Sequence, residues 1–340
     1  MLRRVLRAFF CLAVATLLPG LALAARAYVS NEDDGTVAVV SLEDLKVVAA
    51  VPVGKRPRGL VLSRDGARLY VAVSGMPKCP PPMSDAQCAQ LPRDAAADAI
   101  VVVDTARLAP LARFEGVSDP ERVELSRDGY RLYVTEEDAA RLAVLDSRSG
   151  ALLAHIAVGR EPEGVRISPD GHSLLVTSEA DGTVSIIDVR RNQLRRTVSV
   201  GKRPRDAAFS ADGHAAFVPG EADASLYRLG VATDAPATRL LEFPAPARPM
   251  GIVLDAQRNR LYVSTGRGGS IALVSGAGDI LLGQVAVGGR PWGIALSADG
   301  QRLVSADGPA GELAVLDAPS LSVRGKVAVG HGPWGVVLGP

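Results

Sequence analysis

Two residue types that much enzyme chemistry depends on are scarce in this chain. Histidine occurs four times in 340 residues and cysteine three times. His155, His172, His214 and His331 stand singly, so none has the spacing of a metal-binding motif. A nucleophile elbow and a phosphate-binding glycine loop are missing as well. No metal site and no resident cofactor are therefore expected. Aromatic residues make up 4% of the chain, which leaves the cores to valine, alanine and leucine and suits small sheets stacked on one another. No apolar run is long enough to span a bilayer. The 38 basic and 37 acidic side chains nearly cancel; without Arg3, Arg4 and Arg7 the count is 35 against 37, a net of −2. Such a balance carries no electrostatic footprint for nucleic acid or an anionic membrane.

What the sequence has in abundance is repetition. A segment of the form Tyr-Val-Ser/Thr begins at Tyr28, Tyr70, Tyr133, Leu175, Phe217, Tyr262 and Leu303, at spacings of 42, 63, 42, 42, 45 and 41 residues. Turns such as Ser63-Arg64-Asp65-Gly66 and Ser168-Pro169-Asp170-Gly171 precede most copies, and a short alternating segment such as Val184–Ile187 follows each. Aspartates 104, 146, 188 and 317 close these alternating segments in register and read as turn residues. A period near 42 built of short β segments means one sheet per repeat. Within a repeat, four strands joined by tight glycine turns form an antiparallel meander. A lone sheet of this kind would leave an apolar face exposed, whereas radial stacking buries both faces.

The two ends of the chain complement each other. The repeats start at a second strand (residues 26–30) and stop after a lone first strand (residues 334–338). Three N-terminal strands plus one C-terminal strand make a composite blade. With six complete repeats, the expectation is an all-β, seven-bladed β-propeller of four-stranded antiparallel blades spanning residues 25–340, with an insertion at 75–98.

These elements resemble the YVTN family of β-propeller repeat proteins. The resemblance rests on Tyr28-Val29-Ser30-Asn31, Tyr133-Val134-Thr135-Glu136, the Ser-x-Asp-Gly turns, and Val53-Gly54-Lys55-Arg56-Pro57-Arg58-Gly59 with its counterparts. Gly159–Gly164 and Val329–Val337 are similar to the exported YVTN proteins associated with PQQ-dependent alcohol catabolism. This resemblance implies a periplasmic redox setting and supplies no catalytic residues. The tryptophan-containing repeat of PQQ dehydrogenases is missing, so the chain is not read as holding that cofactor.

The segments with Pro57, Pro120, Pro162, Pro204, Pro249, Pro291 and Pro333 join the last strand of one blade to the first of the next, and ring one mouth of the channel. The residues after proline are Arg58, Glu121, Glu163, Arg205, Met250, Trp292 and Trp334: charged on four successive blades, apolar or aromatic on three. Such a split collar is a candidate binding site for a small amphipathic or anionic molecule, or for a periplasmic protein partner. The alternative reading is of structural tryptophans and charges paired across the channel. Further cations stand close by, and the acidic loops at Glu32, Glu136–Asp138, Glu179 and Glu221 are expected to surround this basic zone. The insertion is expected to overhang the same mouth. His331 is the one histidine at this mouth. The leading functional expectation is a non-enzymatic binding or docking propeller. Its competitors are a lactonase-like hydrolase using Glu121 or Glu163, and a haem or cofactor carrier using His331.

The N-terminus has the pattern of a secretory signal: Arg3, Arg4 and Arg7, an apolar stretch at Ala8–Leu18, and a small-residue cleavage site at Ala22-Leu23-Ala24. Cleavage near Ala24 removes Cys11 and leaves Cys79 and Cys88. An even count in an oxidising compartment favours a disulfide between them. Thiol titration of the exported protein without reductant should find no free thiol, and a peptide map should show the two cysteines linked. Two reactive thiols would exclude the bond.

Overall fold

The computed structural model describes residues 25–79, 83–84, 87 and 90–339. The expected signal segment and Cys88 lie outside these residues. Seven separate four-stranded antiparallel sheets form the blades. Blade 1 is the composite one: Pro333–Gly339 pairs with Arg26–Asn31, followed by Thr36–Ser41 and Lys46–Pro52. Val29 lies opposite Val336 and Asn31 opposite Pro333. Blade 2 starts with Pro57–Leu62, blade 3 with Pro120–Leu125, blade 4 with Pro162–Ile167, blade 5 with Ala208–Phe209, blade 6 with Ile252–Asp255 and blade 7 with Pro291–Leu296. These first strands contact one another around the axis. Among the described residues no helix is long and apolar enough to cross a membrane.

The period-2 alternation of side chains explains the ring. In Thr36–Ser41 of blade 1, Val37 and Val39 face blade 2, where they meet Leu69, Val71 and Val101. Ala38 and Val40 face the other way, onto Val304, Ala306, Leu313 and Val315 of blade 7. Seven such cores lie between neighbouring sheets. The fourth strands, by contrast, alternate towards solvent, as in Lys46–Pro52.

The repeat residues have identifiable duties. The Tyr70 hydroxyl donates to Ser147 O of the next blade at 3.0 Å, and Tyr262 to Ala318 O at 2.8 Å. In the Ser-x-Asp-Gly turns, Asp65 accepts from the Ser63 hydroxyl (2.5 Å) and the Ala67 amide (3.1 Å), while Gly66 takes φ +69°. Asp104, Asp146, Asp188 and Asp317 accept amides two or three residues ahead, as turn residues do. One register needs correction. The residue four positions beyond each leading proline pairs with Tyr28, Tyr70, Tyr133, Leu175, Phe217 and Tyr262, and in blade 7 that pairing joins Ala295 to Val304. The seventh copy therefore begins at Val304, and its spacing from Tyr262 is 304 − 262 = 42.

Blade 1 has no inner strand without the C-terminal residues. Deleting residues 334–340 removes buried Trp334 and Val336 and leaves the Arg26–Asn31 edge unpaired. Each lost large apolar side chain costs about 2–3 kcal/mol, so a fall in Tm of about 10 °C or more is expected in thermal melts, accompanied by aggregation. A truncated protein melting with the parent would contradict ring closure.

Candidate functional site

Pro57, Pro120, Pro162, Pro291 and Pro333 are the first residues of inner strands, where a missing N–H costs no ladder bond. Arg58, Glu121, Glu163, Trp292 and Trp334 thus lie at the start of inner strands, whereas Arg205 and Met250 precede the shorter inner strands of blades 5 and 6. Two residues beyond proline the chain has Gly59, Gly164, Gly251, Gly293 and Gly335. A Cβ on Gly59 would lie 2.5 Å from Arg122 Cα, and one on Gly293 2.5 Å from Trp334 O. Glycine therefore lets neighbouring inner strands touch backbone to backbone. This close approach drives the seven collar side chains together.

As a result the collar is a floor. Arg58, Glu121, Glu163, Met250 and Trp334 are buried; Arg205 and Trp292 are partly exposed. The charged and aromatic halves are also not separate. The Arg58 guanidinium lies 4.9 Å and that of Arg122 5.1 Å from the Trp334 ring centre, and Arg290 stands 5.3 Å from that of Trp292.

Above the floor runs a second ring. Glu32, Glu137, Glu179 and Glu221 occupy one register position on blades 1, 3, 4 and 5, four residues after each repeat start; Ser74, Gly266 and Gly308 hold it elsewhere. The amide of each glutamate donates to the carbonyl of the residue before the facing proline: Glu32 to Gly332 (2.8 Å), Glu137 to Asp119 (3.1 Å), Glu179 to Glu161 (2.8 Å) and Glu221 to Arg203 (3.1 Å). The expected acidic surround is thus corrected. Glu32, Glu179 and Glu221 are buried between the cations because the strand register places them there.

The two rings neutralise each other unevenly. Arg205 sits 2.7 Å from each of Glu163, Glu179 and Glu221. Arg58 lies 2.5 Å from Glu121 and 3.6 Å from Glu137; neither Glu121 oxygen has a well-directed hydrogen bond. Glu163 and Glu179 thus crowd one guanidinium, and both Glu121 and Glu179 feel the Glu163 charge. Burial pushes Glu121 and Glu179 well up, against the pull of Arg58 and Arg205. For Glu163 the same burial is outweighed by Arg205 and Arg58, which hold it down. Burial, and then the Glu163 charge, raise Glu137 to about 7.

On blades 5 to 7 the balance reverses. The Glu221 carboxylate faces Arg205 at 2.7 Å, Arg290 at 3.3 Å, Arg203 at 3.5 Å and Arg248 at 4.0 Å. Burial and the repulsion of Arg205, Arg267 and Arg248 lower Arg290 despite Glu221. Over this floor lies an open basin of about 1140 Å³, lined on this side by Lys202, Arg203, Arg205, Arg290, Met250 and Trp292. The Trp292 indole N–H has no partner.

The insertion reaches the mouth as expected: Lys78, Cys79 and Met83 line the basin. Lys78 pairs with Glu32 at 2.9 Å, and Arg93 with Asp98 at 2.6 Å. His331 does not join the floor. It is 84% exposed and bonded through Nδ1 to Asp34 at 2.8 Å. Among the described residues no three His, Cys, Asp or Glu side chains are placed to hold a metal ion. The collar pattern alone does not mark Arg122 and Asp206. Their signal is a departure from glycine two residues after proline; Asp206 takes a bidentate pair from Arg166 at 2.9 Å.

No family model and no curated protein matches the chain. Solved structures do. A functionally unknown protein from Desulfotomaculum acetoxidans superposes with a TM-score of 0.75 at 17% identity, covering 92% of this chain and 98% of that one. Hydrazine synthase of Kuenenia stuttgartiensis gives 0.73 at 20%, covering 85% and 91%. The periplasmic gluconolactonase of Pseudomonas aeruginosa gives 0.72 at 20%, covering 93% and 99%. The likeness is one of fold.

Arg58 and Glu121 are a buried pair, and removing one partner strands the other's charge. Arg58→Met should cost about 3–5 kcal/mol in denaturant unfolding. The double variant Arg58→Met, Glu121→Gln should recover a large part of that. Additive losses would mean that the pair is not coupled.

Proposed function

We propose that this chain is an exported, YVTN-type propeller that binds a small anionic molecule with an apolar part in its mouth basin. The observation that carries this reading is the gathering of Arg203, Arg248 and Arg290 around the Glu221 carboxylate that Arg205 already engages. Arg203 is 49% and Arg290 31% exposed, and both line the basin, so positive charge is open to it. Trp292 and Met250 beside it offer apolar surface. The N-terminal segment supports export, and the YVTN resemblance supports a place beside PQQ-dependent alcohol oxidation. The expected disulfide would tether the insertion over the basin.

A second reading is lactone hydrolysis. It draws on the solved neighbour named as a periplasmic gluconolactonase, and on Glu137. Glu121 is fully buried and Glu163 is clamped by Arg205, so neither is free to act as a base. Glu137 titrates near 7 and is a quarter exposed on the basin side, which suits a general base at neutral pH.

Calorimetric titration with gluconate, sulfate and indole-3-acetate tests the first reading, and hydrolysis of glucono-1,5-lactone the second. Sulfate and gluconate should bind, and indole-3-acetate should bind more tightly than either. Arg203→Ala with Arg290→Ala should weaken binding about tenfold and flatten its salt dependence. Anions that fail to bind, or that bind equally well to the folded double variant, would remove the site. Lactone turnover abolished by Glu137→Gln would favour the hydrolase.

A further inference from the structure

Beside the anion site just proposed, the floor around Arg58 and Arg205 holds more carboxyl groups than those two guanidiniums can neutralise. Around Arg58 and Arg205 stand Glu121, Glu137, Glu163, Glu179 and Glu221. Glu163 and Glu179 crowd onto Arg205 at 2.7 Å each, and Glu121 lies against the neighbouring Arg58 at 2.5 Å. Carboxyls so crowded cannot all carry charge, so some of this array holds protons. Glu137, Glu163 and Glu179 all line the basin, and Glu137 is the most exposed of them, at 25% against 4%, while it faces Arg58 at 3.6 Å.

Resting on that reading, we propose that anion binding at this mouth is coupled to proton uptake, with Glu137 as the carboxylate that takes the proton. The step needs no co-reactant. A solvent proton bonds to a Glu137 carboxylate oxygen, and the site's net charge rises by one as the anion's charge enters. Every group facing Glu137 enters the balance. Arg58 and Arg205 favour its ionised form; Glu163 and Asp119 oppose it, and Glu121, which also faces it, is pushed up by burial and by the Glu163 and Glu137 charges. Arg58 is also engaged by Glu121 and Glu32, and Arg205 by Glu179 and Glu221, so neither has charge to spare for a second anion. Glu179 faces Glu163, Arg205 and Arg203. It is held neutral more firmly than Glu137, so it ionises only at higher pH.

The sign follows from linkage. Glu137 titrates near 7 in the free protein, and a bound anion favours its neutral form still more. Affinity is therefore full below that point and falls as pH rises through it. Sulfate and gluconate do not titrate between pH 6 and 8, so they report on the protein alone. Calorimetry in two buffers of unlike ionisation enthalpy should show proton uptake on binding near pH 7. Kd should rise about fivefold from pH 6 to pH 8. Glu137→Gln mimics the neutral acid, and should bind at pH 8 as the parent does at pH 6, with no uptake. A Kd independent of pH, or a folded Glu137→Gln protein that keeps the parent's pH slope, overturns the coupling and leaves the anion site standing. Failure of both anions to bind at any pH overturns the two together.

Discussion

The constraint on which the rest of this structure depends is the close approach of seven inner strands. Wherever glycine stands two residues after proline, one backbone rests against the next. A narrow ring forces the preceding side chains to converge at its mouth. Convergence desolvates them, and desolvated charge must find a partner or give up its charge. The ion pairs, the cation–π contacts and the crowded carboxyls of the floor all follow from that narrowness.

Two positions break the glycine pattern, and both are used electrostatically. Arg122 on blade 3 lies over Trp334, which belongs to blade 1, and Asp206 on blade 5 is clamped by Arg166 of blade 4. Blade 5 has the shortest inner strand, Ala208–Phe209, with Pro204 held only by an isolated bridge to Gly220. The ring thus spends regular pairing at one blade, where the surplus arginines gather. The acidic arc of blades 1, 3, 4 and 5 and the basic arc of blades 5 to 7 overlap at Glu221, which gives the mouth a direction.

The blades were legible in the sequence because their signals are local. Turn glycines, alternation within six residues and a period of 42 all act through neighbours in the chain. The register slipped by one at Leu303, where no aromatic residue marks the repeat start. The site was legible in composition and not in arrangement. The residues after proline do share one mouth, yet nothing along the chain shows that Arg290 will meet Glu221, 69 positions earlier. Nor does charge alone reveal depth: Arg58 and Glu121 have the composition of solvated loop residues and are buried. The glutamates at 32, 137, 179 and 221 could have been aligned from the repeat itself, four residues after each start. Their burial could not, since it depends on the ring being closed.

That closure also sets an order of events. A chain appearing N-terminus first, at a ribosome or a membrane channel, presents Arg26–Asn31 long before Pro333–Gly339, its partner in the sheet. Until those last residues arrive, blade 1 keeps an open edge and has no blade 7 beside it. The mouth floor is likewise unfinished, because Trp334 comes last to lie under Arg58 and Arg122. The mouth floor therefore assembles only when these last residues are out, so a partly emerged molecule has the blades of a propeller without its finished mouth.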